Sequence, residues 1–383
     1  MPSSAATWFV CLSCKKKVDL QVRLETTMSN RRDFFKTAAG AATGALVLGG
    51  GSVTAQAPPA RRQVTIAGKR IRVIDVHCHC IIPEAAEVVK GTPLAQAAGG
   101  GGNQVIGPQR LALMDQQGVD VQALSINGYW WYAADRDLAA RIVKAQNEGL
   151  VKIMAANPTR FVAMASVALQ HPDLAAQQLE EAKRMGLHGV TIGGHVNGED
   201  LSNPKYDPFW AKAAELGTLV FMHPGGSENI IKDGAFRGRG DLGNIMGNPL
   251  ETTYFLSRLI FDGTFDKFPN LKVAGAHAGG YLPSYFGRTE VACDVRGNAN
   301  CANKRRPKDI LRSQIIADTM VFSDEGLRHL VNEMGVSQVV YGTDVPFNWP
   351  VTVDLILNAT WLSNADKEAI LSGNLARLLQ IAS

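Results

Sequence analysis

Downstream of about residue 61 the chain alternates two hydrophobic patterns. Short apolar, β-branched runs are separated by longer stretches whose apolar residues recur at helical spacing. The short runs are RVIDVHCH (72–79), VDVQALSI (119–126), RFVAMASV (160–167), HGVTIGG (188–194), TLVFMHP (218–224), LKVAGAH (271–277), TMVFSD (319–324) and QVVYGTD (338–344). Between them lie PQRLALMDQQG, DLAARIVKAQNEGLVKIMAA, PDLAAQQLEEAKRMG, DPFWAKAAELG and EGLRHLVNEMG, and the chain closes on DKEAILSGNLARLLQIA. Several of these end in glycine, as helix C-termini do. Pro172, Pro208 and Pro249 stand where a first helical turn begins. RQVTIAGKRIRVID reads as a small hairpin, turning at Ala67-Gly68, that leads into the first strand. Eight strand–helix units over about 320 residues predict an α/β protein, a (β/α)8 TIM barrel, as one catalytic domain over 58–383. A doubly wound open sheet is the rival, but no glycine-rich phosphate turn follows the first strand. GGGGNQ (99–104) reads as a flexible loop placed to act as a lid.

The N-terminus follows neither pattern. NRRDFFK (30–36), a glycine-diluted apolar run and AQA (55–57) form an export signal of twin-arginine type. The run is too short for a membrane span. Residues 1–57 are therefore expected to be a leader and the protein periplasmic; it stays cytoplasmic if the leader is not processed. CLSCKKK upstream of Met28 is a lone CxxC, weak as a zinc signal. Residues 1–57 carry seven Lys/Arg and three Asp/Glu. The whole chain has 39 and 35, so the rest balances at 32 against 32. That balance points away from nucleic-acid and membrane partners and toward a small molecule. Of the remaining cysteines, Cys293 and Cys301 are expected as two free thiols, able to pair in an oxidising periplasm.

Barrel chemistry collects at the C-terminal ends of the strands. Strand one ends in His77 and His79, strand five in His223, strand six in His277 and strand eight in Asp344. Residues two apart share a face, so His77 and His79 point into the barrel mouth, with Asp75 on the same face one step deeper. Cys78 and Cys80 then point outward as packing residues; a zinc knuckle would need a second pair. His77, His79, His223 and Asp344 suit one divalent metal, zinc first and manganese as the alternative. No strand-four lysine is present to bridge a second ion. His277 is read as a general acid/base, with a further ligand role as its rival. His195, just past strand four, either contacts substrate or fixes its loop. Trp130, Trp131, Tyr132 and Trp349 could stack a ring or simply pack.

DVHCHCIIPE, LMDQQGVDVQALS, GVTIGGHVNG, FMHPGG, GTFDKFPNLKVAGAHAGGYLP and VVYGTDVPF together resemble the amidohydrolase-superfamily branch typified by aminocarboxymuconate-semialdehyde decarboxylase. The resemblance spans about residues 70–380. It implies metal ligands His77, His79, His223 and Asp344, a catalytic His277, and a share of the proton work for Asp344. Arg288, in YFGRTE, matches an arginine that holds substrate carboxylate across a subunit interface, which implies a homodimer or larger. It further implies non-oxidative decarboxylation of an aromatic or unsaturated carboxylic acid. The alternative is hydrolysis of a C–C, lactone, ester or amide bond by a metal-activated water. Two departures stand out. Where a second substrate arginine is expected the chain offers only Lys90, and Gly225 replaces an aromatic after the HP pair. A pocket short of one arginine fork holds one carboxylate less firmly.

Overall fold

The computed structural model describes residues 60–95, 101–128, 130–227, 230–231 and 234–382. The predicted leader, its CxxC and the first part of the glycine run lie outside these. The eight barrel strands are β1 (Ile74–His79), β2 (Val121–Ser125), β3 (Phe161–Ala165), β4 (Gly189–Ile192), β5 (Leu219–Met222), β6 (Lys272–Gly275), β7 (Ile315–Asp318) and β8 (Val339–Val340). Each pairs in parallel with its sequence neighbour. The ring closes where Val76 donates to the Tyr341 carbonyl (3.0 Å) and His79 to that of Val345 (2.8 Å). The expected hairpin forms as Thr65–Ile66 against Lys69–Arg70.

The helical patterns fold as read. Pro108–Gln117, Arg136–Ala156, Pro172–Arg184, Asp207–Leu216 and Asp324–Met334 are helices. The longest starts on Asp135, whose carboxylate accepts from the Leu138 N–H. Parallel strands covered on both faces need apolar side chains on both. One cluster, with Ile74, Val121, Met164, Phe221 and Ile316, fills the barrel; Leu375, Leu378 and Leu379 of the last helix close its floor. A larger cluster lies between strands and helices, and Cys78 and Cys80 belong to it, buried and free. Full burial of side chains this size contributes ~1.5–3 kcal/mol each. Among the described residues no helix is long and apolar enough to cross a membrane.

Three expectations need correction. The seventh strand is Ile315–Asp318, not 319–324. Both stretches carry apolar β-formers, but only the first aligns with β6, Val273 facing Ile315. The second leads into the Ser323 cap of the next helix. Asp75 does not share the face of the histidines. The β1–β2 register shifts between Asp75 and Cys78, so Val76 joins the barrel interior ahead of His77. Asp75 instead accepts from the Thr343 hydroxyl (2.6 Å) and amide (3.1 Å). Cys293 and Cys301 are joined in a disulfide rather than free. The eight-residue spacing brings the end of one helix and the loop after it within bonding reach.

Candidate metal centre and active site

β1 delivers His77 and His79 to the C-terminal mouth, and the bulge below them sets their facing. The first link that fixes His77 is a buried carboxylate on β7. Asp318 Oδ2 lies 2.8 Å from His77 Nδ1, so Nδ1 donates to it and Nε2 is the atom turned inward for a ligand role. His223, just past β5, bonds through Nδ1 to the Pro224 carbonyl at 2.8 Å. A carbonyl only accepts, so His223 Nε2 is likewise left as a ligand atom. Glycine at 342 makes this approach possible: a Cβ there would sit 2.8 Å from the Asp318 Cβ and 3.1 Å from that of His77.

Asp344 ties the set together. Its Oδ1 is 2.7 Å from His79 Nε2 and 3.1 Å from His77 Nε2; its Oδ2 is 3.6 Å from His277 Nε2. The His79 and His223 rings are 4.6 Å apart, and the His277 ring stands 5.1 Å from His77 and 5.2 Å from His223. One ligand atom each from His77, His223, His277 and Asp344 falls within a 4.8 Å sphere of mutual distances. All five predicted groups therefore meet at one place. His277 comes as close as a ligand would, the rival role the sequence left open for it.

The electrostatics fit a cation. Burial opposes a charge on His77, yet the Asp344 carboxylate and the Asp318 bond outweigh it and raise the ring to about 10. Burial lowers His79 to about 4 despite Asp344. Burial and then its histidine neighbours hold His223 well below the ordinary value. Burial works against charge on Asp344, but His77 and the bonds to the other histidines keep it far below the usual carboxylate range. Two neutral imidazoles and an ionised carboxylate are ready ligands, and His77 becomes the third once a divalent ion replaces its proton. Among the described residues the buried His77 Nε2 and His277 Nδ1 have no hydrogen-bond partner. An orphaned donor set of this kind is what a metal satisfies. This is a metal-binding site.

Above the cluster opens a cavity of about 390 Å³. Besides the site histidines and Asp344 it is walled by Gln104, Asn127, Asn244, Asn248 and Phe347. None of its described lining residues is Lys or Arg. Lys90 lies exposed on its own helix end beside Glu87. Arg288 is exposed on the helix Phe286–Val295, outside the cavity lining. His195 donates from Nε2 to the Gly226 carbonyl (3.2 Å) and accepts at Nδ1 from Gly198 N–H (2.9 Å), so its ring fixes the loop. It lines a neighbouring hollow rather than the catalytic one. Trp349 stacks on Phe322, away from both.

Sequence reasoning missed Asp318, which the misplaced seventh strand hid. Read as IIAD, that strand ends in a polar group like the others. The four cavity amides carried no signal: Gln104 and Asn127 come from separate loops, and Asn244 and Asn248 sit one turn apart at the start of the helical run that leads into Asn248–Phe261.

The amidohydrolase family pattern matches residues 74–381. The 2-amino-3-carboxymuconate-6-semialdehyde decarboxylase of Dictyostelium discoideum is 33% identical over 279 residues, covering 70% of this chain and 75% of that one. The gamma-resorcylate decarboxylase of Polaromonas sp. is 30% identical over 288 residues, 71% and 87% of the two chains. The crystal structure of 5-carboxyvanillate decarboxylase from Sphingomonas paucimobilis matches with a TM-score of 0.74 and 25% identity, over 82% of this chain and 100% of that one.

Proposed function

This chain is an enzyme of the amidohydrolase family, in its branch of metal-dependent, non-oxidative decarboxylases, and from that premise we propose which acid it takes and which residues do the chemistry. The substrate is a hydroxylated ring acid or a conjugated analogue with one carboxylate to lose. His77, His79, His223 and Asp344 hold one divalent cation, zinc for preference and manganese as alternative. Bound there, the cation supplies a fixed positive charge for substrate oxygens and for the negative charge that builds as the C–C bond breaks.

The residues do the rest. The four amides of the cavity wall orient neutral hydroxyl or carbonyl groups, and Phe347 offers a ring face. The described lining within one subunit holds no Lys or Arg, so the one arginine fork comes from Arg288 of the partner subunit, which favours a mono-acid over a dicarboxylate. The C–C bond cleaves, CO2 leaves, and the electron pair stays on carbon. His277 then gives that carbon the proton that replaces CO2. Asp344 Oδ2, 3.6 Å from His277 Nε2, holds the imidazole toward the cavity and shares the proton. That one carboxylate spanning ligand histidines and acid carries the proposal.

The test is a zinc- or manganese-loaded enzyme screened with 2,6-dihydroxybenzoate, 5-carboxyvanillate and related acids and lactones, following CO2 and pH together. CO2 release is expected, falling roughly 10²–10⁴-fold in His277→Ala while cation content holds. Acid production from lactones without CO2 would instead mark a hydrolase.

The working unit is a homodimer in which Arg288 serves the partner's site. Arg288 is exposed beside Tyr285 (69%) and Val295 (68%), an apolar surface that a second copy would cover. A monomer in sedimentation at micromolar concentration would refute this. The protein is exported by the twin-arginine route, a reading supported by residues 30–57 and by the disulfide.

A further inference from the structure

A metal-ligating histidine is aimed by the partner of its other ring nitrogen. His77 has the Asp318 carboxylate for this, and His223 has the Pro224 carbonyl. His79 differs. Its Nε2 faces Asp344 at 2.7 Å, and among the described residues no hydrogen-bonding group meets its Nδ1. Beside it stand the rings of His223 at 4.6 Å, Phe347 at 4.9 Å and His77 at 5.3 Å, and Phe347 is itself 44% exposed.

The backbone that carries His79 is held instead. Its amide donates to the Val345 carbonyl at 2.8 Å. Its carbonyl accepts from Arg110 Nη2, also at 2.8 Å. Arg110 stands in the first turn of the helix Pro108–Gln117, on the same face as Met114 one turn later, which is fully buried. Arg110 is buried with it, at 4% exposure, where an arginine ordinarily has an acid beside it. Among the described residues no carboxylate pairs with this one. Nη1 donates to Gln122 Oε1 at 3.2 Å, from a β2 side chain that is itself fully buried. A charged donor makes a hydrogen bond about twice as strong as a neutral one, and burial keeps water from competing for it. The strongest donor behind β1 is therefore directed at the main chain of one site histidine.

We propose that Arg110 is a positioning residue: by holding the His79 carbonyl it sets the direction from which His79 meets the cation, the part that ring-nitrogen partners play for His77 and His223. The proposal rests on the reading of His79 as a metal ligand.

The test uses the full chain loaded with zinc or cobalt(II). Arg110→Met keeps an apolar stem and removes the donors. Its zinc affinity, by competition titration, is expected to fall roughly 10–100-fold, and the visible bands of the cobalt-loaded protein to change. Urea unfolding of the metal-free variant separates a role in folding alone. In that case the unfolding midpoint drops while the folded protein keeps wild-type zinc affinity and cobalt bands, and that result would overturn the proposal. Should Arg110→Met fail to fold, Arg110→Lys decides by the same two readouts. Lysine keeps the charge but cannot serve both acceptors, so intermediate affinity and altered bands are expected and wild-type values would overturn the proposal. His79→Ala tests the premise. It should lose at least as much affinity as Arg110→Met, and an unchanged affinity would remove the ligand and its positioning residue together. No CO2 from any acid, with these metal results intact, would sink the decarboxylase reading alone.

Discussion

Asp318→Asn is the most informative single change. The carboxylate is buried, at 1% exposure, and every group around it donates. Oδ2 accepts from His77 Nδ1 at 2.8 Å and from the His277 amide at 3.0 Å. Oδ1 accepts from the amides of Ala278 (2.7 Å) and Met320 (3.1 Å). Asparagine keeps one acceptor and brings an NH2, so one or two N–H groups lose their partner depending on the way it flips. Turned toward Met320, the NH2 strands two backbone amides. Turned toward His77, it drives the ring proton onto Nε2 and removes a ligand lone pair. One or two unmet buried donors cost about 1–6 kcal/mol in folding stability. Loss of a carboxylate that orients a ligating histidine weakens metal binding roughly 10–100-fold. Urea unfolding of the metal-free protein reads the first figure and a zinc competition titration reads the second. Stability within ~1 kcal/mol of wild type, together with affinity within twofold, would refute the role given to Asp318.

Two further outcomes are expected. His77 keeps its ring proton up to about 10 in the cation-free protein, and a ligand must be neutral, so metal binding expels that proton. Affinity should therefore rise with pH, about tenfold per unit between roughly pH 7 and 9, and level off above about 10. Calorimetry at pH 8 in two buffers of different ionisation enthalpy should show about one proton released per ion, and a value near zero would contradict it. Reduction of Cys293–Cys301, which closes a loop of separation 8, should cost about 2–3 kcal/mol in urea melts. If export occurs, the mature chain is recovered oxidised from the periplasmic fraction; a cytoplasmic chain retaining Met28 would rule it out.

Much of this was legible in the residues because barrel strands reduce to two facts, an apolar run and its last polar side chain. Those gave eight strands, the order of the ring, and four of its five chemistry-bearing ends. Parity went wrong only where the backbone departs from regular pleat. Asp75 was misplaced by a bulge that leaves no glycine behind to mark it. β7 was set four residues late because VF is as good a strand seed as II, and only pairing with β6 chooses between them. Trp130, by contrast, was visible in sequence as an aromatic after β2, but its packing depends on two glycines some 60 and 95 residues away, whose bare backbones leave room for the ring.

The site's geometry also rests on backbone that sequence patterns do not announce. His277 (φ 56°), Ala278 (φ 59°) and Asp344 (φ 59°) all adopt the left-handed conformation, and none is glycine. Such residues each cost about 1–2 kcal/mol and persist only where their surroundings hold them. At 277 and 278 the holder is visible, since both amides donate to Asp318. The same carboxylate fixes the His77 tautomer. One side chain on β7 therefore couples a metal ligand from β1 to the acid from β6, and the strained turn aims His277 at Asp344 rather than along the strand. Replacing His277 by glycine would relieve the strain but not restore the proton, so such a variant should fold at least as stably as His277→Ala and release no more CO2. A less stable His277→Gly would mean that the turn is not strained and that Asp318 merely caps it.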